Sequence, residues 1–274
     1  FDPDFETPSE WKYALGLTWE TEAGYLITAD AQITRGEDTA IYKHGDLERI
    51  GTNDFGNGYP SYDSVRLPTF VLTNSSVGNE SESLAVSVFK SFENGLDMRV
   101  GYAWVDSKDV NPMTSSVAFS NYTNRAFYDP EEEVLSTSNY NIEHRVTAVL
   151  NYNVNLFGSY NTRFSLFGQS SSGTPYSLTL GGFEGTGLAY GFTPYLDFKE
   201  HVLVEPGTRN DRQGSSWTKA DLRISQELPG LNQEHSARAF VVIDNVTNLL
   251  NDDWGVLYKP NFPYGVTQED LDAG

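Results

Sequence analysis

There is no cysteine among the 274 residues, so the chain can form neither a disulfide framework nor a thiolate metal site. Basic residues are scarce: 18 Lys and Arg against 38 Asp and Glu give a formal charge of −20. Phosphate binding needs a cationic face, so this balance argues against a nucleic-acid partner. No apolar run approaches the roughly 20 residues of a membrane helix. That excludes a helical membrane protein only, because a membrane β-barrel is weakly hydrophobic: half of each strand faces water. The start, Phe1-Asp2-Pro3-Asp4-Phe5, has neither the basic n-region nor the apolar h-region of a signal peptide. The histidines His44, His144, His201 and His235 are scattered, without H-E-x-x-H or any metal-ligand spacing. No nucleophile–base pair is legible, and the reading is a non-enzyme without cofactor, metal or catalytic residues.

What the chain does have is alternation. In E-W-K-Y-A-L-G-L-T-W-E, Trp11, Tyr13, Leu15, Leu17 and Trp19 take every second position, with Lys12, Ala14, Gly16 and Thr18 between them. A strand sends alternate side chains to opposite faces, which predicts one aromatic–aliphatic face and one small, polar face. A short turn at 21–24 leads into a second alternating run from Tyr25 to about Thr34, so the pair reads as a hairpin. Three more hairpins come after it. One turns at Asn94-Gly95, a pair that tolerates positive φ; it sets Val86 on one strand against Met98, Val100, Tyr102 and Trp104 on the other. The next turns near 156–159, between a strand with Val146 and Leu150 and one with Phe164 and Leu166. The last pairs the strand of Ala220, Leu222 and Ile224 with A-R-A-F-V-V-I-D-N-V-T-N, whose residues 240–243 are apolar on both faces. Polar stretches at about 36–81, 106–141 and 170–215 separate the hairpins and read as long loops. Within them, Asp129 with Glu131, Glu132 and Glu133 lacks calcium-loop spacing and reads as a solvated acidic loop. Gly181 to Gly187 lacks the Lys-Ser/Thr of a phosphate loop and reads as a surface loop.

Short turns on one side and loops of tens of residues on the other are the plan of an outer-membrane barrel. Soluble sandwiches favour connections of about 2 to 6 residues. The polar faces carry Lys12, Asp97, Arg99, Arg145, Arg163, Asp221 and Arg223 among Gly, Ala, Ser and Thr, which suits a wet lumen and not a dry core. A one-residue slip would turn each Arg toward lipid, at roughly 2 to 4 kcal/mol apiece at the bilayer midplane. Trp11, Tyr13, Tyr102 and Trp104 gather at the long-loop ends; Trp19, Tyr25, Phe92, Tyr152 and Tyr160 gather at the short-turn ends. Two aromatic belts around an aliphatic band match two water–lipid interfaces. The expected fold is therefore all-β, an antiparallel transmembrane β-barrel of which this chain supplies about eight strands. The expected lipid-facing residues are Trp11, Tyr13, Leu15, Leu17, Trp19, Val86, Met98, Val100, Tyr102, Trp104, Leu150, Phe164 and Leu222.

Four segments resemble TonB-dependent outer-membrane receptors, especially their Oar-like branch. F-D-P-D-F-E-T-P-S-E-W-K-Y-A-L-G at Phe1 to Gly16 is similar to the family's "PSxWKYxLG" segment. S-G-T-P-Y at Ser172 to Tyr176 resembles its "sGxPY", and K-A-D-L-R-I-S-Q at Lys219 to Gln226 its "rxDLRisy" strand. D-N-V-T-N-L-L-N-D-D-W-G-V-L at Asp244 to Leu257 is similar to "xNltNLlNddwGvL". The resemblance implies a barrel of about 22 strands that imports a scarce ligand, with outer-membrane lipids, a plug domain and the TonB energy-coupling protein as partners. On that basis residues 1–274 are expected to be the C-terminal portion of the barrel, without plug or closing strand. The transported ligand is not legible. Two other readings compete: a complete eight-stranded barrel with a structural or adhesive role, and a secreted glycan-binding β-sandwich. Small inward residues (Ala14, Gly16, Gly101, Ala103) would leave the lumen of an eight-stranded barrel poorly filled.

Overall fold

The computed structural model describes residues 1–52, 60–64, 69–123, 125–127, 129–178, 208–230, 235–259 and 265–266. In chain order the first strands are β1 (Ser9–Glu20), β2 (Leu26–Glu37), β3 (Ala40–His44), β4 (Leu47–Thr52), β5 (Pro60–Ser64), β6 (Phe70–Asn74), β7 (Glu80–Ser91) and β8 (Leu96–Asp109). They continue with β9 (Ser136–Thr137), β10 (His144–Phe157), β11 (Tyr160–Ser171), β12 (Pro175–Leu178), β13 (Arg212–Gln213), β14 (Trp217–Pro229), β15 (Ser236–Ile243) and β16 (Gly265–Val266). Among the described residues the helical elements are α1 (Ala118–Thr123) and a single 3-10 turn, Val246–Leu249.

Eight strands pair in the order β1-β2-β7-β8-β10-β11-β14-β15, each antiparallel to the next. This is the meander expected from four hairpins laid side by side. The turns obey local chemistry. At the second, the Leu96 N–H donates to Asn94 Oδ1, and Gly95 takes φ 87°. A Cβ on Gly95 would stand 2.4 Å from the Asn153 carbonyl of the next hairpin, whose own N–H donates to the Gly95 carbonyl at 2.9 Å. Glycine is therefore required there both for the left-handed backbone and for the close approach. A bulge between Val154 and Phe157 closes the third hairpin.

Two expectations need correction. The stretch at 36–81 is not a plain loop: it contains two further strand pairs, β3 with β6 and β4 with β5. The last strand of the large sheet is also shorter than its sequence suggests. β15 stops at Ile243 because Asn245 adopts φ 51°, a left-handed conformation that breaks the extended chain. The stop falls at Asp244-Asn245, residue types poor in strands, and the sequence does not place the tertiary contact that holds it there.

Among the described residues, the buried hydrophobic ones are Ile41, Val110, Tyr122, Ala126 and Phe127. All five lie in the connections at the long-loop end, outside the eight strands of the large sheet. Among the described residues no second sheet covers either face of the large one, so the sandwich reading lacks its second layer. β1 and β15 each have a single neighbour in the sheet, and no pairing between them closes an eight-stranded barrel among the described residues.

Candidate functional site

Directly paired residues share a face, so the registers sort every side chain of the sheet. One row runs Leu17–Ala29–Val86–Tyr102–Val146. Neighbouring rows hold Trp19, Val88, Val100 and Ala148, then Met98, Leu150, Leu166 and Leu222. Phe164 sits between Tyr152 and Ile224 in the same set. Trp11, Tyr13, Leu15, Leu17, Trp19, Val86, Met98, Val100, Tyr102, Trp104, Leu150, Phe164 and Leu222 therefore occupy one face. Much of that face is uncovered by protein; Leu15 is 77% exposed.

Lys12, Asp97, Arg99, Arg145, Arg163, Asp221 and Arg223 occupy the opposite face. It is stitched by hydroxyl and amide bonds: Thr28 to Ser87 at 2.8 Å, Ser165 to the Asn151 Oδ1 at 2.8 Å, Ser91 to Asp97 at 2.5 Å. Phe240 and Val242, whose side was ambiguous from sequence, pair with Ser225 and Arg223 and so lie on this polar face. The Arg223 guanidinium stacks 4.6 Å from the Phe240 ring centre, which explains how an aromatic is accommodated among charges. Midway down the face, Arg145, Asp30, Ser87 and Thr147 line a pocket of about 270 Å³.

The long-loop end carries a folded cap, and the D-P-E-E-E segment is its clamp, not a solvated loop. Asp129 accepts from the Tyr62 hydroxyl at 2.7 Å. Glu131 accepts from the Tyr122 hydroxyl at 2.7 Å and from the His44 backbone N–H at 3.1 Å. Glu133 pairs with Lys43 and accepts from the Ser76 N–H at 2.6 Å. Three alternating carboxylates thus tie the second long connection to the first. Their electrostatics reflect this packing. Burial would raise the Glu133 carboxyl, yet Lys43 and Ser76 hold it below the usual range. Burial raises the Tyr62 phenol, and Asp129 raises it further. Burial, with Asp129 nearby, raises Glu132. His44, buried edge-on against Phe70, is pushed down by burial despite Glu131 and Asp46.

A second buried knot joins the third connection. Arg209 pairs with Asp109 and donates to the Asp109 carbonyl at 2.6 Å. Asn210, in a left-handed conformation, donates to the Thr137 carbonyl and to Asn139 Oδ1. Arg125 is buried nearby and donates to the Pro130 carbonyl; burial and then Arg209 push its pKa down to about 10. Sequence reasoning missed these residues, because an Arg-Asn pair in a polar stretch carries no local signal of burial. Gly181 to Gly187 and His201 lie outside the described residues.

Between cap and sheet, at the long-loop end of the polar face, lies a cleft of about 620 Å³. Thr34, Ser81 and Ser107 form a row of hydroxyls on its floor, and Asn79, Asn111 and Tyr140 complete its walls. No group of His, Asp and Glu among the described residues is arranged to hold a metal ion.

No family model and no curated protein sequence matches the chain. Among solved structures it is similar to the outer membrane transporter YddB from Escherichia coli, with a TM-score of 0.53 and 12% identity. The likeness covers 89% of this chain and 29% of that one, so the chain spans less than a third of that transporter's length. At this identity the likeness is one of fold: the sheet has the architecture of part of an outer membrane barrel.

Proposed function

We propose that the chain forms part of the wall of a TonB-dependent receptor in the bacterial outer membrane, with its apolar face in lipid and its polar face along the path of an imported ligand. The observation that carries this reading is the uncovered apolar face. It runs across eight strands, while the buried hydrophobic residues among the described ones sit in the cap. At about 25 cal/mol per Å² such a face costs far too much to leave in water.

The borders of the face support lipid as its solvent. At the long-loop end it changes to charge: Arg35 pairs with Glu82 at 2.6 Å, and Asp106 with Lys108 at 3.2 Å. At the short-turn end Lys90 lies 4.5 Å from the Tyr25 ring centre and 5.4 Å from that of Phe92. Glu82 and Lys90 stand on the same strand, β7. The eight residue steps between them span about 26 Å along the strand at ~3.3 Å per residue. Tilted by about 40°, that is an apolar band of about 20 Å, close to the roughly 25 Å of membrane barrels. The Oar-like assignment, the plug and the TonB partner rest on the four motifs.

Val100 and Arg99 are neighbours on opposite faces, which gives a direct test. In the full-length protein, Val100→Arg should sharply reduce membrane-integrated, protease-resistant barrel, by the roughly 2 to 4 kcal/mol of a lipid-facing Arg. Arg99→Ala should leave assembly near normal. Equal effects of the two would reverse the faces or remove lipid from the account.

A further inference from the structure

The cleft under the cap has an unusual charge balance. Its charged lining residues are Glu10, Glu80, Lys108 and Asp109, and each already has an opposite partner. Glu10 pairs with Lys12 at 2.5 Å, Lys108 with Asp106 at 3.2 Å, and Asp109 with buried Arg209; Glu80 lies 4.0 Å from Arg35, which it shares with Glu82. An anion entering here would meet no unpaired cation among the lining residues to replace its lost hydration. The chain's formal charge of −20 further disfavours anions.

What the cleft offers instead is neutral hydrogen bonding and one aromatic surface. The hydroxyls of Ser81 and Ser107 are not engaged with other side chains among the described residues, and each can both donate and accept. Tyr140 is 63% exposed, and its backbone N–H is already bound to Ser138 Oγ, which steadies the residue at the rim. A sugar ring has hydroxyls around its edge and C–H groups on its faces. Side chains that donate and accept without charge match the edge, and a tyrosine ring matches a face. The volume of about 620 Å³ falls within the roughly 300–1,000 Å³ of small-molecule sites.

We infer that this cleft is the outer subsite for an uncharged oligosaccharide, with Tyr140 as stacking platform and the Thr34–Ser81–Ser107 row as its polar floor. The inference rests on the polar face being the ligand side of a transport barrel, and it adds the substrate class.

The test uses full-length protein purified in detergent and calorimetric titration with trimers of glucan, xylan, mannan and chitin, alongside trigalacturonate and tripolyphosphate as anionic probes. At least one neutral trimer should bind, and neither anion should match it. Tyr140→Ala should weaken that binding at least tenfold and Ser107→Val several-fold. Arg145→Gln, lower on the same face, should change it less than twofold. Binding of no neutral trimer, tighter binding of an anion, or an unaltered affinity in Tyr140→Ala would each overturn the assignment. A protein that inserts in membranes but fails these titrations overturns this inference alone. One that stays monomeric and folded without lipid or detergent overturns the transport-wall reading itself.

Discussion

Asp221 Oδ1 accepts the backbone N–H of Asn245 at 2.7 Å. The bond joins two sequence motifs 24 residues apart, K-A-D-L-R and D-N-V-T-N, and it sits on the polar face of the sheet. Asn245 uses its own side chain to organise the turn beyond the strand: Oδ1 accepts from Thr247 at 2.8 Å, and Nδ2 donates to the Trp254 carbonyl at 2.9 Å. A side-chain acceptor is needed here because the N–H of a residue with φ 51° has left the strand ladder.

Asp221→Ala should therefore release the turn at Val246–Leu249, at a cost of about 1 to 3 kcal/mol for an unsatisfied amide. Asp221→Asn, which retains an acceptor oxygen, should cost markedly less. Amide hydrogen exchange at residues 245–250 measures the difference. Equal protection in all three proteins would remove the bond from the account.

The knot of Arg209 and Asp109 predicts a different failure. Removing one partner of a buried pair strands the other charge, typically at about 3 to 5 kcal/mol. Arg209→Met should open the cap while the sheet persists, because the contact touches the sheet only at Asp109, the last residue of β8. Limited proteolysis should then cut within residues 106–143, with β-sheet circular dichroism unchanged. Loss of both signals together would mean that cap and sheet fold as one unit.

Acid should open the cap in two stages. His44 has a depressed pKa, so the neutral form favours the folded cap; that stability is present above the ordinary value of 6.5 and is lost as pH falls through the folded value. Glu133 is also depressed, and its contribution is lost lower, as pH falls from 4.5 through its folded value. Glu132 is raised and runs the other way, losing its contribution as pH rises through its folded value. Cap proteolysis should accelerate below about pH 6.5, and His44→Phe should abolish the upper stage while leaving the lower one. A His44→Phe profile identical to the parent would assign the upper stage elsewhere.

The edges of the sheet predict how residues 1–274 behave alone. β1 is exposed along its whole length on both faces, and it carries no proline. Unpaired N–H and C=O groups along such an edge cost several kcal/mol each in lipid and recruit other strands in water. The isolated chain should aggregate or require detergent, and it should lack the heat-modifiable gel migration of a closed barrel. A monodisperse, heat-modifiable monomer would favour a complete eight-stranded barrel.

The four hairpins, the shared faces and the short turns were legible in the sequence because each depends on neighbours within a few residues. Alternation has period two, and Asn94-Gly95 declares its turn without reference to the rest of the chain. From Trp11 to Leu222, register then carries one apolar face across the sheet, since a slip of one residue would reverse every side chain at once. The cap was not legible. Arg209 meets Asp109 across 100 residues of sequence, and Glu131 meets His44 across 87. In sequence these carboxylates look like solvated charge; only the pairing of β3 with β6 and the length of β8 bring their partners within reach. Where β15 ends was likewise settled by a contact, Asp221 to Asn245, and not by any residue preference within the strand. Local periodicity thus determined the strands and their two faces, whereas partners brought together by folding decided the cap, the cleft and the end of the last long strand. The reason is that a hydrogen bond or ion pair acts over a few ångströms of space, whatever the distance along the chain.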